Sequence, residues 1–431
     1  MEKYSSYKDS GIQWLGQVPS HWEMKRFRFL LTENSKQNTD LKERTQLQFR
    51  YGDIVQKANQ SEDSDVLKTI QKYTVVQPGD IMINGLNLNY DFISQRVAQV
   101  QEPGVITSAY ISLRPAEGVN SKYYTYFMKA MDAQKMFHGM GSGVRLTLAY
   151  SNLKNMFFPY PSPEEQEAIV AYLDSATDKI DEAIAQQQLM IDLLNERKKI
   201  IISKVVTQGL ESTVNLRSSG IDWIGEVKTD WKIYKLKYLL NERLMYGANE
   251  SAESNNESYP RYIRITDIDE DGNLKPDTFV SLSPAKAEPY LLKKGDILFA
   301  RSGATAGKSF LFREDIQACF AGYLIKASVG KRLMPEYLNY YTSSGIYDNW
   351  KNSIFIQATI PNIGAEKYGN LQIPLPTMEE QAKIVAYLDV EIGKIKTAIN
   401  DFKQQILFLQ ERKQIIINDV VTGKVKIYES V

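Results

Sequence analysis

An internal duplication limits the folds open to this chain more than any other feature of its sequence. Ser10-Gly11-Ile12, Trp14-Leu15-Gly16, Val18 and Trp22 return as Ser219-Gly220-Ile221, Trp223-Ile224-Gly225, Val227 and Trp231. Pro78-Gly79-Asp80-Ile81 is answered by Lys294-Gly295-Asp296-Ile297, and Tyr123 to Phe127 by Tyr337 to Tyr341. Pro161 to Gln166, Tyr172-Leu173-Asp174 and Glu196-Arg197-Lys198 recur 215 residues later, beginning at Pro376, Tyr387 and Glu411. Whatever one half folds into, the other must fold into as well. The ends of the halves match closely, whereas the interiors, about residues 30 to 150 and 240 to 360, differ at most positions. A shared frame with unlike contents points to two related tasks carried out on two different targets.

Each half closes on an unusually long helical pattern. From the Pro161/Pro163 pair to about Val206 there is no Gly or Pro, and Ile169, Leu173, Ala176, Ile180, Ile184, Ile191, Leu194, Ile201 and Val205 form an apolar stripe. Ser162 ahead of Glu164-Glu165 marks the start and Gly209 the stop. The copy has Thr377 ahead of Glu379-Glu380, a stripe from Ile384 to Val420, one internal glycine at Gly393 and a stop at Gly423. Forty-odd residues make a helix of about 65 Å. Such a stripe wants a partner helix, and the sister helix is the nearest candidate. An antiparallel pair would hold the two interiors at opposite ends. Two separate helices, each packed on its own domain, remain the alternative, because the apolar spacing breaks near Ile180 to Ile184.

The interiors alternate short strand-like runs, such as Tyr262 to Ile265, Asp296 to Phe299 and Ile111 to Leu113, with Gly, Pro, Asn and Asp turns. The expected class is α/β with small mixed sheets. Arg301-Ser302-Gly303-Ala304-Thr305-Ala306-Gly307-Lys308 follows a strand and has the look of a phosphate-binding P-loop. Only three residues separate its glycines where that motif needs four. The segment still suits phosphate and base-edge contacts through Arg301, Ser302, Thr305 and Lys308. The first half offers Asn87 and Asn89 in the corresponding loop, and Arg96, Arg145, Arg261 and Arg264 are further candidates for phosphates. Tyr123, Tyr126, Tyr337 and Tyr340 stand at helical i, i+3 spacing and read as core rather than as stacking platforms.

Composition closes off other classes. The 52 acidic and 52 basic residues cancel, which argues against a protein that simply coats nucleic acid. One cysteine and two histidines leave too few ligands for a Cys/His zinc site, and they favour a reducing compartment. No apolar run of membrane-spanning length is present, so a cytoplasmic protein is expected. Glu196-Arg197-Lys198 has the look of a nuclease fragment, but in mid-helix it reads as a solvated face.

Taken together, these motifs resemble the specificity subunits of type I restriction-modification systems over nearly the whole chain. The carriers are the repeated Ser-Gly-Ile-x-Trp-[Leu/Ile]-Gly opening, Tyr262 to Ile268, Gly295 to Gly303, and Ile373-Pro374-Leu375-Pro376 with Glu379-Glu380-Gln381. The first half departs from the pattern. Gln48 to Ile54 stands where Tyr262 to Ile268 stands in the second, and no arginine matches Arg301. The resemblance implies two target recognition domains, residues 1–160 and 211–375, with long-helix spacers at 161–210 and 376–425 and a tail at 426–431. Each domain would read one half of a split, asymmetric duplex DNA sequence, and the paired helices would act as a ruler. The implied partners are double-stranded DNA, two adenine-N6 DNA methyltransferase subunits and the restriction/translocase subunits. Two equivalent surfaces in one chain can seat two copies of one partner, and Gln166, Tyr172, Arg197, Gln381, Tyr387 and Arg412 are the helix residues expected to do so. This chain is expected to be non-catalytic and to bind no cofactor itself, with S-adenosylmethionine, ATP and magnesium used by the partner subunits; a stand-alone restriction enzyme component and a coiled-coil adaptor are the alternatives.

Overall fold

The computed structural model describes residues 2–58, 63–90, 95–211, 213–251, 254–269, 272–355 and 361–427. Of the expected tail, 428–431 lies outside them. The chain divides into two compact units, Met1–Gln187 with Gln404–Val431, and Gln188–Lys403. The cut falls within the two long helices, so the spacers expected at 161–210 and 376–425 are each shared between units.

In the first unit, β1 (Glu23–Arg26), β2 (Leu31–Glu33), β3 (Ile81–Ile83), β4 (Val97–Gln99) and β5 (Ile111–Pro115) precede α1 (Ser121–Ala133), α2 (Tyr150–Leu153) and β6 (Phe157–Tyr160). Strands β2-β5-β3-β4 form an antiparallel sheet in that order, and β1 pairs with β6. The Gly-Asp-Ile motif is the turn that feeds the central strand. Gly79 takes φ +91°, and the buried Asp80 accepts a hydrogen bond from the Gln77 N–H at 3.0 Å and two from the Arg114 guanidinium.

The second unit repeats this plan with β7 (Lys232–Lys235), β8 (Met245–Tyr246), β9 (Ile297–Ala300), β10 (Ser309–Leu311), β11 (Leu324–Ala327), α3 (Pro335–Tyr341), α4 (Ala365–Gly369) and β12 (Gln372–Leu375). The sheet order β8-β11-β9-β10 and the pair β7-β12 reproduce the first unit's topology. Gly295 takes φ +94°, and Asp296 accepts from the Lys293 N–H at 2.8 Å. The units differ beside the sheet. The first has the hairpin Leu47–Arg50 with Asp53–Gln56, whereas the second pairs Arg261–Ile263 with Ala318–Phe320 in parallel.

The long helices run from Pro163–Gln208 and Met378–Val421 without interruption at Gly393. Ser162 caps the first through the Glu165 N–H, and Thr377 and Glu380 exchange hydrogen bonds at the start of the second. Each unit holds the beginning of one helix and the end of the other, so the pair is antiparallel. In the first unit Lys413 reaches Asp181 at 2.6 Å. There Trp22 packs on Gly423, and the buried Tyr123 donates its hydroxyl proton to the Val421 carbonyl. In the second, Trp231 packs on Gly209, and Tyr337 donates to the Val206 carbonyl. The repeated tryptophans and tyrosines therefore grip helix ends. Tyr123 and Tyr337 are core, as their spacing predicts; Tyr126 and Tyr340 are half-buried partners of Asp174 and Asp389.

The apolar stripe is buried at Ile169, Leu173, Ile180, Ile191, Ile202 and Val205 and at Ile384, Leu388, Ile392, Ile395, Ile399, Ile417 and Val420. Phe402, Ile406 and Leu409, in mid-helix, are only half-buried. Two helices cover each other along one seam, and only the globular parts supply a second wall.

Candidate nucleic-acid interface

The loop after the central strand is where the units diverge. In the second unit, Arg301 to Lys308 connects β9 to β10 as a hairpin, with Gly303 at φ +77° and Gly307 at φ +85°. A single 3-10 turn, Gly303–Thr305, follows the strand in place of an α-helix, so the segment is not a P-loop, in agreement with its glycine spacing. Arg301 is fixed at the backbone by its N–H to the Tyr323 carbonyl at 2.9 Å and by the Ile363 N–H on its own carbonyl at 2.8 Å. Its guanidinium lies 5.1 Å from the centre of the Tyr246 ring, and among the described residues it has no carboxylate partner. Ser302 bridges to Asn362, Thr305 is half-buried, and Lys308 is exposed. Tyr323 is exposed next to this cluster.

In the first unit the same place is held by Gly85, whose carbonyl accepts from the Leu148 N–H as that of Arg301 does from Ile363. A Cβ on Gly85 would lie 2.5 Å from the Leu148 oxygen, so the missing arginine is a steric requirement. The position matching Lys308 is Arg96, since the Ala300 N–H donates to the Lys308 carbonyl as the Asn84 N–H does to Arg96. Arg96 points inward. It is buried, and its guanidinium donates to the carbonyls of Asn84, Leu86 and Asn87 at 2.9, 2.7 and 3.1 Å. That corrects its expected role: it shapes the loop and does not reach a phosphate. Asn87 and Asn89 are exposed on the loop so shaped, beside the exposed Tyr90. Arg145 is exposed at the tip of the Ser142–Thr147 turn next to Val144, which is 99% exposed. The Leu88 N–H donates to the Leu146 carbonyl and ties this turn to the Asn87 loop.

Two more candidates are tied up by groups of their own unit. Arg261 is buried, donates to the Lys275 carbonyl at 2.6 Å and lies over Phe279. Arg264 makes a two-point pair with the buried Asp267, at 3.0 and 2.8 Å, which raises its pKa and keeps it charged. The Tyr262 to Ile268 segment is thus a braced turn. Tyr246, Tyr323, Tyr90 and Val144 were not singled out by sequence reasoning, because an isolated exposed aromatic or apolar residue carries no periodic signal.

The helix residues also separate by burial. Gln166 and Gln381 are fully buried at equivalent places. Gln166 bonds the Asn120 N–H and the Pro161 carbonyl; Gln381 bonds the Met334 N–H and the carbonyls of Arg332 and Pro376. They fasten helix starts to their units and lie out of a partner's reach. Tyr172 is half-buried, and Tyr387, Arg197 and Arg412 are exposed. Around the two arginines stand apolar residues that the 215-residue offset could have revealed. Leu193 and Ile200 flank Arg197, and Phe408 and Ile415 flank Arg412, all exposed at i, i+4, i+7.

The sequence matches the family described as the type I restriction modification DNA specificity domain over residues 96–189 and 228–407, more than half of the chain. The chain belongs to this family. It is 22% identical to the MjaVIII type I specificity subunit of Methanocaldococcus jannaschii, over 84% of this chain and 83% of that one. It is 23% identical to the EcoBI specificity subunit of Escherichia coli, over 60% and 58% of the two chains. A solved chain from work on complex assembly and conformational transition of the type I R-M system shares the fold, with a TM-score of 0.69 at 15% identity. It covers 95% of this chain and 99% of its own length. The task of a specificity subunit of this family is recognition of a DNA target. No described helix is long and apolar enough to cross a membrane.

Proposed function

We propose that each unit reads one half of a two-part, asymmetric DNA sequence and that the chain performs no chemistry itself. The observation that carries this reading is one sheet topology occurring twice with different side chains in the loop after its central strand. In the second unit Arg301, beside Tyr246 and Tyr323, and the exposed Lys308 present two cations, a set able to form paired hydrogen bonds to a guanine edge and contacts to phosphate. In the first unit Asn87, Asn89, Tyr90 and Arg145 present amides able to pair with adenine, and one cation. Unlike chemistry at equivalent loops gives unlike half-sites.

The exposed stripes Leu193-Arg197-Ile200 and Phe408-Arg412-Ile415 support docking of two copies of one partner, the methyltransferase subunit, with restriction/translocase subunits joining that assembly. S-adenosylmethionine, ATP and magnesium then belong to those partners. A buried lone cysteine fits the reducing cytoplasm in which host DNA is modified. The test is a segment exchange. Replacing residues 30 to 150 with the corresponding segment of a relative should change one half of the methylated sequence and leave the other, as read by mapping modified adenines. Both halves unchanged would refute the reading.

A further inference from the structure

The opening segment of each half carries cations and an aromatic that the duplication keeps by chemical type and not by identity. Arg26 is matched by Lys235, Arg28 by Lys237, and Phe29 by Tyr238. The structure gives the pairs the same place. Arg26 and Lys235 end the equivalent strands, β1 and β7, the other two pairs follow directly on them, and all six side chains are exposed, with Phe29 and Tyr238 both at 62%.

The cations are held alike. Arg28 donates to the Asn155 side-chain oxygen at 3.4 Å and lies 5.0 Å from the Phe29 ring centre. Lys237 donates to Asn370 at 3.1 Å and lies 5.3 Å from the Tyr238 ring centre. Neither amide cancels the charge. In the second unit a cavity of about 810 Å³ opens beside Tyr238, lined by Arg217, Lys235 and Arg332 and by no carboxylate, and Lys237 lines a neighbouring one of about 650 Å³ with Arg243, Glu242 and Glu366.

The place of these pairs points to the occupant. In the first unit α2 starts just after the Arg145 turn and ends two residues before Asn155. In the second, α4 starts just after Ile363, which pins Arg301, and ends next to Asn370. One short helix of four or five residues therefore lies in sequence between each reading loop and the asparagine that holds its cation. The reading loops differ between the units, whereas these pairs keep their chemistry.

We propose that Arg28 with Phe29, and Lys237 with Tyr238, grip the sugar–phosphate backbone flanking each half-site, supplying a contact that ignores base sequence. The cation pairs with a phosphate and the exposed ring packs on the deoxyribose beside it. This rests on the reading of each unit as a half-site reader.

The test uses the full chain assembled with its methyltransferase subunits and measures duplex affinity from 50 to 200 mM salt. For Arg28→Gln and Lys237→Gln, the slope of log affinity against log salt should each fall by about 0.9, so affinity drops about 3.5-fold less across that range for every contact removed. The loss should be equal on cognate and unrelated duplexes, and the methylated sequence should stay the same. Arg28→Lys should restore the slope, which a folding defect would not allow. An unchanged slope in the double variant overturns the proposal while leaving the half-site reading intact. So does a variant complex that has lost a methyltransferase copy, since the surface would then belong to a protein partner. A wild-type complex with no preference for its own methylated sequence refutes the half-site reading, and this inference with it.

Discussion

Arg301→Ala is the substitution whose outcome bears most directly on the proposal that the second unit reads one half of the DNA target. The backbone of Arg301 is pinned on both sides, by its bond to Tyr323 and by the bond from Ile363, so truncating the side chain leaves the loop in place. The stability cost is confined to the contact with Tyr246, about 0.5–1 kcal/mol for a partly exposed cation over a ring. The recognition cost is larger. A guanidinium that makes two hydrogen bonds to a guanine contributes about 1–3 kcal/mol of discrimination, or roughly 5- to 150-fold in affinity for one base pair. Binding of the assembled complex to duplexes altered one base pair at a time should show preference lost at one position of one half-site. The other half-site should be read as before, and the melting temperature should move little. Equal loss in both halves, or a uniform loss with every preference retained, would show that Arg301 is not a base-reading residue of the second unit.

Further outcomes follow from named contacts. Arg96→Ala should lower the melting temperature of the first unit, because three loop carbonyls lose their donor at about 1 kcal/mol or more each, and should blur the half-site opposite to that of Arg301. If the two stripes each seat one methyltransferase subunit as proposed, Leu193→Asp or Phe408→Asp should each remove one copy from the complex, read by native mass spectrometry, while the isolated chain keeps its circular dichroism. At Glu380, burial disfavours the charge, but the donors Lys228, Thr377 and Trp231 outweigh it and hold the carboxyl down at about 2. A depressed carboxylate stabilises fully above the ordinary glutamate value of about 4.3 and loses that contribution as pH falls toward about 2. Glu380→Gln should therefore destabilise the second unit at neutral pH and flatten its acid unfolding between about pH 4.5 and 2, followed by tryptophan fluorescence.

Much of this molecule is legible without coordinates. The duplication, the helix limits at Ser162 and Gly209 and at Thr377 and Gly423, and the Gly-Asp-Ile turns are local. Each depends on a capping oxygen, a positive φ or a period of about 3.6, and neighbouring residues in the chain are enough to specify it. The failures have one cause in common. Arg96, Arg261, Gln166 and Gln381 have the side chains of surface ligands, and nothing beside them in sequence says that they turn inward to loop and strand carbonyls. A polar side chain goes inside when backbone groups from distant segments converge on it and would otherwise lose water without a partner. Asn120 meets Gln166, and Met334 meets Gln381, only once the chain has folded.

The sequence by itself determined that there would be two copies of one frame, where the long helices begin and end, and that the interiors would differ, because repetition, capping and periodicity act over a few residues. Only the tertiary structure decided which cations face outward. It set Gly85 where Arg301 stands in the other copy because the Leu148 carbonyl leaves no room for a side chain. It also left Leu193, Ile200, Phe408 and Ile415 uncovered, because a pair of helices can bury only the seam they share.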